Sequence, residues 1–202
     1  MKRKKLAECC TEERLARFTE VVAKRHLDFT IVMENIADPH NISAVFRTCD
    51  AVGITEAFVV YDETQKPPKL NEKCSAGAKK WVDAVYYSDI EECYKELRRR
   101  GMKIYTTHLT TESVSLYDID FTQPCAIVVG NEHRGVSRRA VELADANVLI
   151  PQVGMIESLN ISVASAICLY EAFRQRLAAG RFDSPAFSEE ATQGLLKNYL
   201  ER

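Results

Sequence analysis

Three short stretches of this chain carry side chains that could do chemistry, and each follows an apolar run. The first is DPHNISAVFRTCDAVG, residues 38–53. Placed on a helix at about 100° per residue, Ile42, Phe46 and Cys49 gather on one side. Arg47 then points almost the opposite way, with Ser43 one turn before it. Asn41 stands where an N-cap belongs. An arginine, a serine, an asparagine and free helix N–H groups at one helix start suit an anion or phosphate. A capped surface helix with an exposed arginine is the competing reading of this stretch taken alone. The second stretch, CAIVVGNEHRGVS (125–137), has the spacing G-x-x-x-x-G without the Lys-Ser/Thr of a phosphate-binding P-loop. The third, NVLIPQVGMIESLNISVASAICLYEAFRQR (147–176), leads from a strand ending at Pro151 into a helix for which Ser158 is the expected N-cap. Small residues crowd its start (Ser162, Ala164, Ser165, Ala166), which permits close approach of a backbone or a ligand.

These stretches need a scaffold, and the pattern supplies an alternating one. Hydrophobic periodicity predicts helices over 6–27, 41–52, 89–100, 136–145, 158–180 and 188–201. Short runs rich in β-branched and aromatic residues predict strands over 29–35, 56–62, 82–88, 103–109, 125–130 and 147–151. Such alternation implies an α/β fold: a mostly parallel sheet with helices on both faces. In such sheets ligands sit beyond the carboxyl ends of strands, where all three stretches fall.

Composition narrows the classes. Of 202 residues, 46% are hydrophobic and 28% charged, enough apolar matter for a real core, so disorder is excluded as the whole answer. No apolar run approaches the ~18–20 residues of a membrane span, and no apolar segment follows the basic MKRKK start, as a secretory signal would require. Seven cysteines at 9, 10, 49, 74, 93, 125 and 168 form no C-x-x-C pair, and the histidines at 26, 40, 108 and 133 are scattered. Neither a disulfide framework nor a metal site is expected; thiols serving as small hydrophobes in a reducing cytoplasm fit better. No G-x-G-x-x-G dinucleotide fingerprint occurs. Charge is uneven. The net charge is −2, yet residues 1–27 hold eight Lys/Arg against four Asp/Glu. Lys4, Lys5, Arg14, Arg17, Lys24 and Arg25 are candidate contacts to nucleic-acid phosphates, with a solvated end that aids solubility as the competing reading.

Taken together, N-x-x-A-x-x-R-T-x-D-A-x-G (Asn41 to Gly53), G-x-E-x-x-G-x-S (Gly130 to Ser137) and I-P-x-x-G-x-x-x-S-L-N-x-S-V-A (Ile150 to Ala164) resemble, in order and spacing, the three motifs of the SpoU/TrmH group of SPOUT RNA methyltransferases. The chain departs from them at Gln152, where an apolar residue is expected. The resemblance implies a C-terminal deep trefoil knot, S-adenosylmethionine as cofactor, a homodimer without metal, and 2′-O-methylation of a ribose in tRNA. Guanosine 18 of the D-loop is the expected target, with ribosomal RNA, another tRNA position, or an inactive RNA-binding protein as alternatives. It also implies a basic helical arm over 1–27, the knotted catalytic domain over 28–178 and a helical tail over 179–202. By position, Arg47 would be catalytic, with Asn41, Glu132, Ser158 and Asn160 around it; Thr107, Leu109, Gly130, Asn131, Ile150 and Leu159 would hold the cofactor.

Arg47 poses a chemical question. A guanidinium stays protonated at ordinary pH. Two roles are therefore open: a base deprotonated by special surroundings, or a fixed cation that pins a phosphate and stabilises a developing alkoxide. Physical chemistry favours the second.

Overall fold

The computed structural model describes residues 11–63, 65–68, 80–109, 112–156 and 158–202. Seven strands pair in one all-parallel sheet among these residues: β1 (Phe29–Glu34), β2 (Glu56–Val60), β3 (Asp83–Tyr87), β4 (Lys103–Thr106), β5 (Val114–Ser115), β6 (Cys125–Val129) and β7 (Ala146–Leu149). Their spatial order is β3-β2-β1-β6-β4-β7-β5. The helices are α1 (Glu12–Ala23), α2 (Pro39–Ala51), α3 (Ile90–Arg99), α4 (Arg138–Leu143), α5 (Ile161–Ala178) and α6 (Glu189–Glu201).

The central strands are apolar without polar alternation because both faces are covered. On β1, Ile31 and Met33 face the cluster formed with α2 and α5, while Val32 faces the cluster formed with α3 and α4. β6 divides likewise, with Ile127 and Val129 on one side and Ala126 and Val128 on the other. α2 contributes Ile42, Val45, Phe46 and Cys49 to the first cluster, the stripe its periodicity predicts. Gly53 then turns the chain at φ +85°, where a Cβ would stand 2.5 Å from the Lys24 carbonyl oxygen.

The first and last helices meet. α1 and α6 share a small core of Phe18, Val22 and Tyr199, against which Trp81 packs. Fully buried Arg176 of α5 ties the base of the sheet. Its guanidinium donates to the carbonyls of Phe121, Gln123 and Asp28 and to Asp28 Oδ1 at 2.8 Å. Burial works against the Asp28 charge, but His26, Arg176 and Arg181 outweigh it and hold the carboxyl below the usual range.

Several expected boundaries move. Asp38, not Asn41, caps α2, because Pro39 takes the first helical position and Asp38 Oδ1 accepts from the His40 N–H at 2.8 Å. Asn160, not Ser158, caps α5. α1 begins after Thr11 and ends at Ala23, short of the expected 27; residues 6–10 lie outside the described part. The two-residue β5 has too little pattern to be read from sequence.

Candidate active site

Strands β1, β6, β4 and β7 are neighbours and run the same way, so the loops that leave their carboxyl ends emerge side by side. Those loops carry the three motifs. A chain of side-chain hydrogen bonds joins them. The Glu132 carboxylate accepts from the backbone N–H groups of Ala37 and Asp38, both at 3.0 Å. It also accepts from Asn41 Nδ2 at 3.0 Å. Asn41 Oδ1 in turn accepts from Asn160 Nδ2 at 3.2 Å. Asn160 Oδ1 accepts from the Ser162 N–H at 2.8 Å and from its hydroxyl at 2.6 Å. Each amide therefore has donors and acceptors on the right sides, and the start of α2, the β6 loop and the start of α5 are locked together.

Glu132 sits at the positive end of α2. Burial opposes its charge, yet the Ala37 N–H, the Asn41 amide and the Asp38 N–H outweigh it and hold the carboxyl below the usual Glu range. It is an ionised acceptor, not a proton donor.

The loop that presents Glu132 is itself braced. Asn131 and Gly135 exchange backbone hydrogen bonds at 2.8 and 2.9 Å. A Cβ at Gly130 would lie 2.1 Å from the backbone of Gly135 and Val136, so only glycine closes this turn. The Asn131 amide donates to the Asn35 carbonyl at 2.8 Å and accepts from the His133 and Arg134 N–H groups. Asn131 thus spends its side chain on shaping the loop. Asn35, left-handed at φ 55°, is bonded in both directions to Asp62. Buried Glu34 accepts from the Ser137 N–H at 2.7 Å where the loop enters α4, and burial raises its carboxyl above the usual range. Sequence reasoning missed Asn35, Glu34 and Asp62. The one available signal was an asparagine directly after a strand, a residue type that tolerates the left-handed turn.

Arg47 is exposed on α2, and it has no hydrogen-bond or ion-pair partner among the described residues. Ser43 does not share its open face. It is buried, and its hydroxyl donates to the Pro39 carbonyl at 2.7 Å. Ser158 is exposed on the loop before α5. The Thr107 N–H and hydroxyl both donate to the Val128 carbonyl, joining the β4 and β6 exits. Ile150 is half-buried against the core, while Leu109 and Leu159 present apolar surface to solvent.

The expected RNA contacts of the N-terminal arm fare unevenly. Lys4 and Lys5 lie outside the described residues. Arg14 is exposed above the Phe18 ring. Arg17 and Lys24 both pair with Glu20. Arg25 must be withdrawn from the list: it is 1% exposed, ion-paired to Asp50, and donates to the Asp50 and Ile54 carbonyls. It holds the arm to the body and cannot reach a phosphate.

Other chemistry finds little support. The described cysteines are free and buried, and burial pushes the Cys93 and Cys168 thiols up to about 12 and Cys125 to about 11, so none of these offers a thiolate nucleophile. Among the described residues no group of His, Cys, Asp and Glu is placed to hold a metal ion, and no helix is long and apolar enough to cross a membrane. A cavity of about 750 Å³ does exist, lined by Phe18, Trp81, Tyr199, Arg25 and Phe182 among others. It opens beside Gly53, near the amino end of β2, at the opposite edge of the sheet from the motif loops.

Comparison with known proteins places these features. A family model described as the SpoU rRNA Methylase family matches residues 28–170. A tRNA (guanosine(18)-2′-O)-methyltransferase of Thermus thermophilus is 43% identical over 192 residues, 95% of this chain and 98% of that protein. The Escherichia coli K12 protein of the same name is 41% identical over 169 residues, covering 84% of this chain and 73% of that one. Among solved structures, an A. aeolicus TrmH/SpoU tRNA modifying enzyme superposes with a TM-score of 0.86 at 42% identity, covering 94% and 95% of the two chains. An AdoMet-bound rRNA methyltransferase of Sinorhizobium meliloti gives 0.67 at 26% identity over 77% of this chain and 59% of that one.

The Glu132 bond network makes a prediction. Glu132→Gln removes the charge and turns one N–H donor against another, so stability should fall by about 1–3 kcal/mol, read by urea unfolding. In the parent protein the folded-state carboxyl lies below its unfolded value. Its contribution is therefore complete above pH ~4.3 and lost as pH falls through the lower folded value. The variant should lack that part of the acid dependence; an identical acid profile would show that Glu132 does not carry it.

Proposed function

The chain belongs to the SpoU rRNA methylase family, and on that premise we propose that it transfers a methyl group from S-adenosylmethionine to the ribose 2′-oxygen of guanosine 18 in tRNA. The observation that carries this reading is the Glu132–Asn41–Asn160 chain, which joins all three motifs beside an arginine whose charge nothing among the described residues neutralises. Similarity to curated enzymes of that specificity over 95% of the chain supports the choice of nucleotide.

The loops at this end of the sheet suit the cofactor. Loops from the adjacent strands β6, β4 and β7 offer backbone amides and apolar side chains, which match an adenine edge and a thioether-like body. Thr107, Leu109, Gly130, Ile150 and Leu159 would hold it, with Asn131 shaping the loop. S-adenosylmethionine, when bound, supplies a methyl already activated on a sulfonium. What remains for the protein is alignment, exclusion of water and care of one proton. Asn41 and Asn160, fixed by Glu132, keep the pocket's polar groups in one orientation. Arg47 brings a cation to the oxygen on which charge develops, and Ser158 offers an exposed hydroxyl at the same rim.

The reading extends to the rest of the chain. Residues 28–178 form the catalytic body, in which β6 lies between β1 and β4 while β7 passes to the far side of β4; this order suits the deep trefoil knot. Residues 1–27 and 179–202 form the arm and tail, with Lys4, Lys5, Arg14, Arg17 and Lys24 as the arm's phosphate contacts. A homodimer in the cytoplasm completes it. Val163, Tyr170 and Leu177 recur every seven residues as an exposed apolar stripe on α5, and Val153, Met155 and Ile156 are exposed just before that helix. A surface of this kind fits a second copy of the chain.

Purified protein with labelled S-adenosylmethionine should methylate unmodified tRNA at guanosine 18 and leave ribosomal RNA unlabelled. Arg47→Ala should lower the single-turnover rate by roughly 10²–10³-fold with its circular dichroism and cofactor affinity unchanged. A pH–rate titration that vanishes in Arg47→Ala yet persists in Ser43→Ala would instead make Arg47 the base. Sedimentation should give twice the 22.8 kDa chain mass, and Tyr170→Arg should shift it to monomer; a monomeric parent protein would remove the dimer.

A further inference from the structure

Arginine pairing separates two residues from the rest of the α/β body. Within the α/β body, Arg98, Arg99, Arg100, Arg138, Arg139, Arg174 and Arg176 each meet a carboxylate. Arg47 and Arg134 do not; both are exposed without a polar side-chain partner among the described residues. A guanidinium left uncompensated in a chain of net charge −2 is free to take an anion from outside the chain.

Arg134 also sits on a stiff mount. Its N–H donates to Asn131 Oδ1 at 3.1 Å, and the next residue, left-handed Gly135, closes the turn through two backbone hydrogen bonds to Asn131. Two residues before it, Glu132 grips the first turn of α2, the helix that carries Arg47. The carboxylates at this junction are occupied: Glu132 and Asp38 both accept from N–H groups at the α2 start, and neither turns to a guanidinium. Neither free arginine is therefore neutralised by the acids that lie between them.

We propose that Arg134 is a second phosphate-binding group of the RNA site, holding a phosphate of the substrate strand next to the ribose served by Arg47. This rests on the methyltransferase reading above and deepens it. The planar fork binds two phosphate oxygens at once, and the braced turn limits the freedom lost on binding. Arg134 adds binding energy for the strand and takes no part in moving the proton or the methyl.

The test uses the full-length protein, unmodified tRNA transcript and binding titrations from 50 to 200 mM salt. Arg134→Ala should weaken tRNA binding about tenfold at the low-salt end and reduce the slope of log affinity against log salt by about one. Its melting temperature, S-adenosylmethionine affinity and single-turnover rate at saturating tRNA should match the parent. Arg134→Lys should restore the slope and only part of the affinity. Arg138→Ala, which removes a cation already paired with Glu142, should change little. Parental slope and affinity in Arg134→Ala, an equal loss in Arg138→Ala, or a loss of cofactor affinity would each overturn the assignment. A parent protein that leaves tRNA unmethylated would overturn the underlying reading as well. One that methylates tRNA, with an Arg134→Ala slope equal to its own, would overturn this inference alone.

Discussion

A single carboxylate, Glu132, joins the parts of this molecule that must act together. It lies on the loop after β6, yet its partners are the Ala37 and Asp38 N–H groups that lead into α2 and the side chain of Asn41. Asp38 is the helix cap and Ala37 precedes it, so neither N–H can be bonded within the helix. A negative charge there satisfies them and meets the positive end of the helix dipole. By fixing Asn41 from one side, Glu132 also decides which way its amide faces Asn160. Three segments more than a hundred residues apart at their extremes thereby share one rigid arrangement.

The sheet makes this arrangement possible. Parallel strands send all their carboxyl ends to one edge, and β6 inserted between β1 and β4 puts the glycine-rich loop in the middle. Gly130 and Gly135 let the turn close more tightly than side chains would permit. Electrostatics follow the same division of labour. Arginines that build the body are matched with carboxylates, and fully buried Arg176 is bound to carbonyls on three sides. The two on the rim keep their charge available. Structure is stabilised by neutralised cations, and the free ones are those to which recognition is assigned in the proposals above.

Much of this was legible in the sequence, for identifiable reasons. The apolar runs 29–35 and 125–130 read as buried strands because a parallel sheet is covered on both faces, and the α2 stripe read from its period. Resemblance pointed to Asn41, Glu132 and Asn160, but not to who touches whom. Their partners lie 91 and 119 residues apart in the chain, beyond any local pattern. The caps were misplaced because Pro39 fixes the start of α2 two residues before Asn41. Ser43 looked open on a helical wheel, yet its hydroxyl turns back to the Pro39 carbonyl and it is buried. Arg25 looked like part of a basic arm because composition cannot show that Asp50 waits for it in the folded chain.

The central claim is that Glu132 and Asn160 act on the reaction as one unit through Asn41, although they do not touch. A double-mutant cycle tests it most directly: single-turnover methylation of tRNA by Glu132→Ala, Asn160→Ala and the double variant, each checked for native circular dichroism. Coupling through the shared asparagine predicts that the double variant loses less than the two single losses combined, by about 0.5–3 kcal/mol in activation free energy. Losses that add within about 0.3 kcal/mol would mean that the two residues work independently and that the hydrogen-bonded chain is not what unites the site.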